Sequence, residues 1–333
     1  MSYDDESAAP MVAGRAASLP RVYGDTPSWL GVPVISRAGE RPADAIVFGV
    51  PWEGTVTWGS FGGCELSPRM IRHAAARYGG YVPEYEVNLF DTLDVADLGD
   101  VALPSPHDEE AAMAAVAKTA TAVYQSGAIP VALGGDHAFI PEMVMGLAAT
   151  DPHKRVGVLH LDAHFDNAPV FGDDRYARCC PIHRLAQLDH VAGRNIVHFG
   201  IRGPRNSAAQ HAAAREMGAT VISALSIRRR GIDDALEEAL AIATDGADLL
   251  YVTVCSDVVD AGFNPGGPAD FGGIYPWELF HVLFTAGARG ARGMDIVELY
   301  PVTPLAERSA HLQAWATIYF LAGASTHPSK RNP

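Results

Sequence analysis

What this chain can fold into is limited first by the way short apolar runs alternate with helical patterns from Asp44 onward. DAIVFGV precedes SPRMIRHAAARYG, and HDEEAAMAAVAKTATAVYQSG precedes AIPVALGG; VGVLHLDAH, NIVHFGI, LLYVTVCSDV and GMDIVEL follow. Continuous Val-, Ile- and Leu-rich runs of this length are what strands buried on both faces require. Strand, helix, strand repeated in this way predicts an α/β fold with a mostly parallel sheet covered by helices on both faces. The final segment HLQAWATIYFLAGAS is apolar enough to pack on that sheet. No Gly-rich linker or compositional break divides residues 41–333, which read as a single α/β domain. Residues 1–40, rich in Ala, Ser, Pro and Gly without sustained periodicity, read as an N-terminal arm that packs on a neighbouring subunit.

In parallel sheets, ligands gather where loops leave the carboxyl ends of the strands, and the polar clusters of this chain fall there. GGDH puts His137 at the end of IPVAL beside glycines that permit close backbone approach. LHLDAHFD spaces His160, Asp162, His164 and Asp166 at period two, which points all four side chains to one face of a buried strand. TVCSDVVDAGFNPGG supplies Asp257 and Asp260, with Cys255 between Thr253 and Asp257 on the same side. Burying such carboxylates and imidazoles without compensation costs several kcal/mol per ion, so a divalent cation is the economical counter-charge and an ion-pair network the alternative. Oxygen and imidazole donors suit manganese, nickel, zinc or iron better than calcium. Glu298 closes the GMDIVEL run, a placement that favours a site role over that of a surface carboxylate.

Twenty-five Lys and Arg against 39 Asp and Glu give a net charge of -14, which disfavours nucleic acid and anionic lipid and agrees with a cationic small-molecule substrate. Cys64, Cys179, Cys180 and Cys255 are too few and too irregular for a disulfide framework. Asp4, Asp5 and Glu6 stand where a signal peptide needs basic residues, and no run reaches the roughly 18 apolar residues of a membrane helix. A cytoplasmic location is expected, with neither a nucleic-acid nor a membrane partner.

GGDH at 134–137, DAHFD at 162–166, FGIRG at 199–203, DVVDAGFNPG and MDIVE at 294–298, with GVP at 49–51 and SPRMIR at 67–72, resemble the ureohydrolase family of arginase and agmatinase from about Ala43 to the C-terminus. The resemblance implies a three-layer α/β/α sandwich, a trimer or hexamer, two adjacent divalent metal ions, and hydrolysis of a guanidino group to urea and an amine. It implies metal ligands at His137, Asp162, His164, Asp166 and Asp257, with Cys255 in the remaining position, and catalytic roles for Asp162 and for Glu298, the latter pairing with the guanidinium. The chemistry is coherent, because a resonance-stabilised, positively charged carbon needs an ionised water as nucleophile.

Two positions depart from the family. Counting back from Asp260, Cys255 stands on the first aspartate of Ser-x-Asp-x-Asp-x-x-Asp, and a softer single-atom donor biases a site from manganese toward nickel, zinc or iron. In YARCCPIHR, Arg178 stands on the histidine of Tyr-x-His-Gly-Thr; it repels cations, and either binds a carboxylate or pairs with a neighbour such as Asp173 or Asp174. Cys179 and Cys180 read as packing, and Trp52 and Trp58 either stack on a planar cation or pack. GYVPEYEVNLFDTLDVADLGDV resembles the nickel-using guanidine and two-subunit metformin (dimethylbiguanide) hydrolases. The expected function is therefore that of a subunit of a metal-dependent amidinohydrolase, holding two Mn or Ni ions and acting on a guanidino or biguanide compound. The alternative is an impaired partner that stabilises an active paralogue in a hetero-oligomer.

Overall fold

A computed structural model describes residues 26–57, 61–104 and 108–331. The strands are β1 (Ala45–Gly49), β2 (Tyr81–Val82), β3 (Val87–Asn88), β4 (Val95–Asp100), β5 (Ile129–Leu133), β6 (Val156–Leu161), β7 (Ile196–Ile201), β8 (Thr220–Ser223), β9 (Leu249–Cys255) and β10 (Met294–Val297). Eight of them make one sheet in the order β4-β1-β5-β10-β9-β6-β7-β8, with every neighbouring pair parallel, while β2 and β3 form a separate antiparallel pair.

The period of two along each strand sorts side chains into two cores. Val47, Val131, Leu159, Val252 and Ile296 pack with the helices Ser67–Ala75, Ile232–Ala243, Pro276–Ala288 and Ala306–Ser325. Their neighbours Ile46, Ala132, Val158, Tyr251 and Val297 face the helices Glu109–Gln125 and Ile140–Ala148. The result is the three-layer α/β/α sandwich, with helices on both faces of the sheet. Among the described residues no helix is long and apolar enough to cross a membrane.

The described part of the N-terminal segment is anchored to the domain that follows it. Trp29 is fully buried, its backbone N–H donates to Asp97 Oδ2 at 2.7 Å and its indole N–H to Thr317 Oγ1 at 2.9 Å. Trp29, Leu30, Val32 and Ile35 thus pack into the domain, while residues 1–25 lie outside the described residues. The edge strands β4 and β8 were missed because partial exposure leaves VADLGD and TVIS without a continuous apolar run.

Asp97 also ties the edge strand to a helix. Arg72 grips it bidentately, Nε to Oδ2 at 2.8 Å and Nη2 to Oδ1 at 2.9 Å, and both side chains are buried. Replacing Asp97 by Ala would take two bonds from the Arg72 guanidinium, which keeps Asp100 and the Gly99 carbonyl, and would leave the Trp29 N–H without its acceptor. The expected loss is about 1–3 kcal/mol of stability, read as a lowered urea midpoint. Breaking the exposed Arg77–Glu307 pair, 3.2 Å apart with side chains 66% and 67% exposed, is expected to cost less than about 1 kcal/mol.

Candidate active site

The end of β5 fits between β1 and β10 only because it carries two glycines. A Cβ at Gly134 would lie 2.4 Å from Val297 Cγ1 and 2.8 Å from the Ile296 carbonyl; at Gly135 it would meet the Trp52 and Val50 carbonyls at 2.6 and 2.7 Å. This approach lets Gly134 N–H donate to the Ile296 carbonyl at 2.7 Å and Glu298 N–H to the Gly135 carbonyl at 3.0 Å. Asp136 then caps the following turn, accepting from Ala138 N–H at 3.0 Å and Gly54 N–H at 2.7 Å. Burial pushes its carboxyl up to about 7, with Arg178 opposing and Glu298 adding to the rise. Glu298 and Asp166 both sit in the left-handed backbone region, with φ of 63° and 45°, a costly conformation for residues with a Cβ that clusters at functional sites.

The period-two reading of LHLDAHFD stops being valid where the strand stops. β6 ends at Leu161, and from Asp162 the chain turns, with Asp162 Oδ1 accepting the His164 N–H at 2.5 Å. The side chains therefore do not share one strand face. His137 Nδ1 lies 3.0 Å from Asp162 Oδ2 and 2.9 Å from Asp166 Oδ2, and His160 Nε2 lies 3.1 Å from Asp162 Oδ2. His164 turns the other way, Nδ1 3.1 Å from Asp257 Oδ2 and Nε2 3.4 Å from Asp270 Oδ2.

Ligand-type atoms converge within 4.8 Å in three sets: His137, His160, Asp162 and Asp166; Asp162, Cys255 and Asp257; His164, Asp257 and Asp270. Asp162 and Asp257 are each shared between two sets, so the sets adjoin. All the candidate ligands named from sequence, His137, Asp162, His164, Asp166, Cys255 and Asp257, take part. His160 and Asp270 join them; Asp270 was missed because it lies in the loop after β9, where no strand period announces it. Asp260 stays out, its carboxylate accepting from Gly262 N–H at 2.9 Å and Gly272 N–H at 2.6 Å.

The electrostatics of the cluster call for positive charge. Burial pushes the Asp162 carboxyl up, but His137, His160 and His164 together hold it well below the usual carboxylate range. Asp166 and Asp257 are raised by burial and then by the charge of Asp162. Burial opposes a charged His137, yet Asp162 and Asp166 outweigh it and lift the imidazole well above its ordinary range. Burial and the surrounding carboxylates, Asp162 first, likewise raise the Cys255 thiol. Asp257 Oδ2, Asp270 Oδ2 and His164 Nε2 are buried and meet only at ion-pair distances, Asp257 Oδ2 3.1 Å from His164 Nδ1 and Asp270 Oδ2 3.4 Å from His164 Nε2 and 3.3 Å from Arg205 Nη1. Buried carboxylate oxygens and imidazole nitrogens converging within 4.8 Å are a donor set that divalent cations would satisfy, so these residues fit a metal pair.

Behind the cluster runs a polar row that sequence reading missed, because only strand register reveals it. His198, His160, Thr253 and Asp295 are direct neighbours across β7, β6, β9 and β10. Thr253 O–H donates to Asp295 Oδ1 at 2.8 Å, Tyr251 O–H to Asp295 Oδ2 at 2.6 Å, and His160 Nδ1 meets His198 Nδ1 at 2.9 Å. With its proton spent on Asp295, Thr253 Oγ1 accepts from His137 Nε2 at 3.0 Å. That assigns the Nε2–H tautomer to a neutral His137 and turns its Nδ1 lone pair toward Asp162 and Asp166.

Arg178 does not pair with Asp173 or Asp174. Its guanidinium is buried, donating to Glu53 Oε1 at 2.9 Å, Glu298 Oε2 at 3.0 Å and the Tyr300 hydroxyl at 3.3 Å, with Asp136 Oδ2 3.8 Å away. A pocket of about 400 Å³ opens over the cluster, lined among others by His164, Asp166, Arg178, Cys255, Asp257 and Glu298. Cys179 lines it too, whereas Cys180 is buried as packing. Trp52 is buried in the core beneath, and Trp58 lies outside the described residues.

The profile of the arginase family matches residues 43–323. Formimidoylglutamase of Halobacterium salinarum is 33% identical over 298 residues, covering 88% of this chain and 92% of that protein. Guanidinopropionase of Pseudomonas aeruginosa is 30% identical over 284 residues, 85% and 84% of the two chains. A crystal structure of Trypanosoma cruzi formiminoglutamase with Mn2+ superposes with a TM-score of 0.81 at 24% identity, covering 91% of this chain and all of that one. A parallel sheet with an acid and imidazole cluster at its carboxyl end and this match over most of the length define one class: the chain belongs to the arginase family. It is an amidinohydrolase of that family, a hydrolase of C–N bonds in linear amidines.

Gly134→Ala tests the geometry of the β5 end. Its Cβ would collide with backbone and side chain of β10, so a stability loss of about 1–3 kcal/mol is expected in a urea titration.

Proposed function

We propose that this chain hydrolyses a C–N bond of a small guanidino or formimidoyl compound with two divalent cations, manganese or nickel, held by His137, Asp162, His164, Asp166, Cys255 and Asp257. The observation that carries this reading is the adjoining ligand sets, sharing Asp162 and Asp257, under one pocket. The names of the relatives, a formimidoylglutamase and a guanidinopropionase, support the substrate class, and the Mn2+ in the Trypanosoma cruzi protein supports the cation.

When bound, such cations supply an ionised water near neutral pH. The chain's own residues do the rest. His137 is oriented by Thr253, and His164 by Asp270. Burial excludes bulk water from Asp162 and Asp257, which strengthens every charge interaction around them. Glu298 receives the His137 N–H on Oε1 at 2.9 Å, fixing the wall that faces the substrate.

A second reading rests on Cys255, which offers one soft donor where a carboxylate offers two oxygens. In it the chain is a partner subunit that supports a catalytic paralogue in a mixed oligomer.

Metal content after growth with both manganese and nickel separates the two readings. About two ions per chain, with urea or formamide released from guanidino or formimidoyl substrates, is the expected result. Guanidine, the simplest guanidino compound, and the biguanide dimethylbiguanide belong in the substrate panel. A chain that binds no metal and turns over nothing alone, but restores a paralogue, would replace the first reading with the second. Cys255→Asp is expected to shift retained metal toward manganese, read by mass spectrometry. Asp270→Asn is expected to weaken manganese binding by roughly 10–100-fold in a calorimetric titration, through loss of the carboxylate that orients His164.

A further inference from the structure

A groove of about 830 Å³ runs between the helices Pro276–Ala288 and Ala306–Ser325 and the turn of the β2–β3 pair. None of its lining residues belongs to the pocket over the ligand cluster. Tyr85, Phe280, Trp315 and Tyr319 form a continuous set of rings in it, neighbouring centroids 4.8 to 6.3 Å apart. Phe263 and Tyr275, edge to face at 5.5 Å, and Trp277 complete the aromatic lining. Trp277 is 60% exposed and Phe263 49%. Single exposed aromatics need no explanation, but a contiguous set around one groove marks a binding surface.

The charge of the groove is one-sided. Glu84 and Asp233 line it, and among the described residues no Lys or Arg does. Asp233 Oδ1 lies 2.9 Å from His281 Nε2, and His281 Nδ1 lies 2.8 Å from the Tyr85 hydroxyl. With that hydroxyl donating, the imidazole is neutral and orients Asp233 without cancelling its charge. At the rim the Arg228 guanidinium carbon sits 5.7 Å from the centroid of the Tyr275 ring, a cation–π contact already made there; with it counted, two carboxylates still face one base. We propose that this groove binds a small organic cation of the quaternary ammonium class, its methyl groups against the ring faces and its charge toward Glu84 and Asp233. Ring faces present the negative side of their quadrupole, and a tetraalkylammonium is apolar on its surface and cationic within, so it satisfies both parts of the lining. A divalent metal ion needs converging oxygen, nitrogen or sulfur donors, which rings do not offer. The inference stands apart from the amidinohydrolase reading, because it concerns a different surface.

Choline and 3,3-dimethylbutan-1-ol test the assignment, since they share a shape and differ only in the charge of the central atom. In calorimetric titrations of the metal-loaded chain, choline is expected to bind at least about 10-fold more tightly than the neutral compound. Trp277→Ala is expected to weaken choline by roughly 3- to 30-fold, while Trp277→Phe, which keeps a ring, retains most of the affinity. The double variant Glu84→Gln, Asp233→Asn is expected to weaken choline and leave the neutral compound unmoved. Absence of choline binding by the wild type overturns the proposal, and so does equal affinity for the two compounds, which marks an apolar groove only. An affinity unchanged in folded Trp277→Ala places the ammonium elsewhere and overturns it as well.

A second measurement asks whether the rings are free to receive a ligand. Sedimentation velocity is expected to give the same oligomeric state for the wild type and for Trp277→Asp. A smaller species for the folded variant shows that a second copy of the chain covers the rings, and overturns the proposal. Turnover enters neither measurement, so a chain inactive on every amidine but selective for choline loses the amidinohydrolase reading and keeps this site.

Discussion

Asp162 has no exposed surface, and its carboxylate is surrounded by the imidazoles of His137, His160 and His164 at 3.0 to 3.4 Å. A buried carboxylate keeps its charge only while something positive stays that close. Much of the rest of the fold serves this requirement. The glycines at the end of β5 admit His137, the end of β6 releases Asp162 into a turn, and β9 delivers Cys255 and Asp257 from the opposite side. Asp166 and Asp257 are pushed up by burial and then by the charge of Asp162. The adjoining sets of ligand-type atoms lie at the same place.

A second charge cluster lies against the first and solves the problem differently. Glu53, Asp136 and Glu298 share one internal cation, Arg178, and the deficit shows in Asp136, whose carboxyl is carried up to about 7 by burial with Glu298 nearby. Here the protein supplies its own counter-ion, whereas the Asp162 cluster gathers donor atoms of the kind a divalent cation would complete. The two meet at His137, whose backbone donates to Glu298 while its ring faces Asp162 and Asp166.

How much of this was legible depended on whether the information was local. GGDH, DAHFD, the Cys255 to Asp257 stretch and Glu298 could be read because each is a short motif leaving a buried strand, and the sheet itself was announced by unbroken apolar runs. Edge strands β4 and β8 carry no such run. The bond from Arg178 to Glu53 spans 125 residues, and nothing near Arg178 in the chain points to it; the local carboxylates Asp173 and Asp174 were the visible partners and the wrong ones. Asp270 lies in a loop, and the row from His198 to Asp295 exists only once four strands are in register. The alternation through LHLDAHFD misled because periodicity describes a strand and says nothing about where the strand ends. Trp29 failed for the opposite reason: one large apolar residue in a Pro- and Gly-rich stretch anchors the segment without creating any pattern.

The row of His198, His160, Thr253 and Asp295 has a consequence for assembly of the sheet. Each of these residues is flanked along its strand by residues of the aliphatic core on the other face, Val197 and Phe199, Leu159 and Leu161, Val252 and Val254, Met294 and Ile296. Shifting any one strand by a single residue would exchange the faces, driving an imidazole, hydroxyl or carboxylate into the layer beneath the C-terminal helices and leaving its former partners unsatisfied. Parallel strands, joined only through long crossovers, have no tight turn to set their alignment. The polar row acts as a proofreading mark: mispaired central strands carry a penalty that correctly paired ones escape, so the residues backing the chemistry also guard the fidelity of folding.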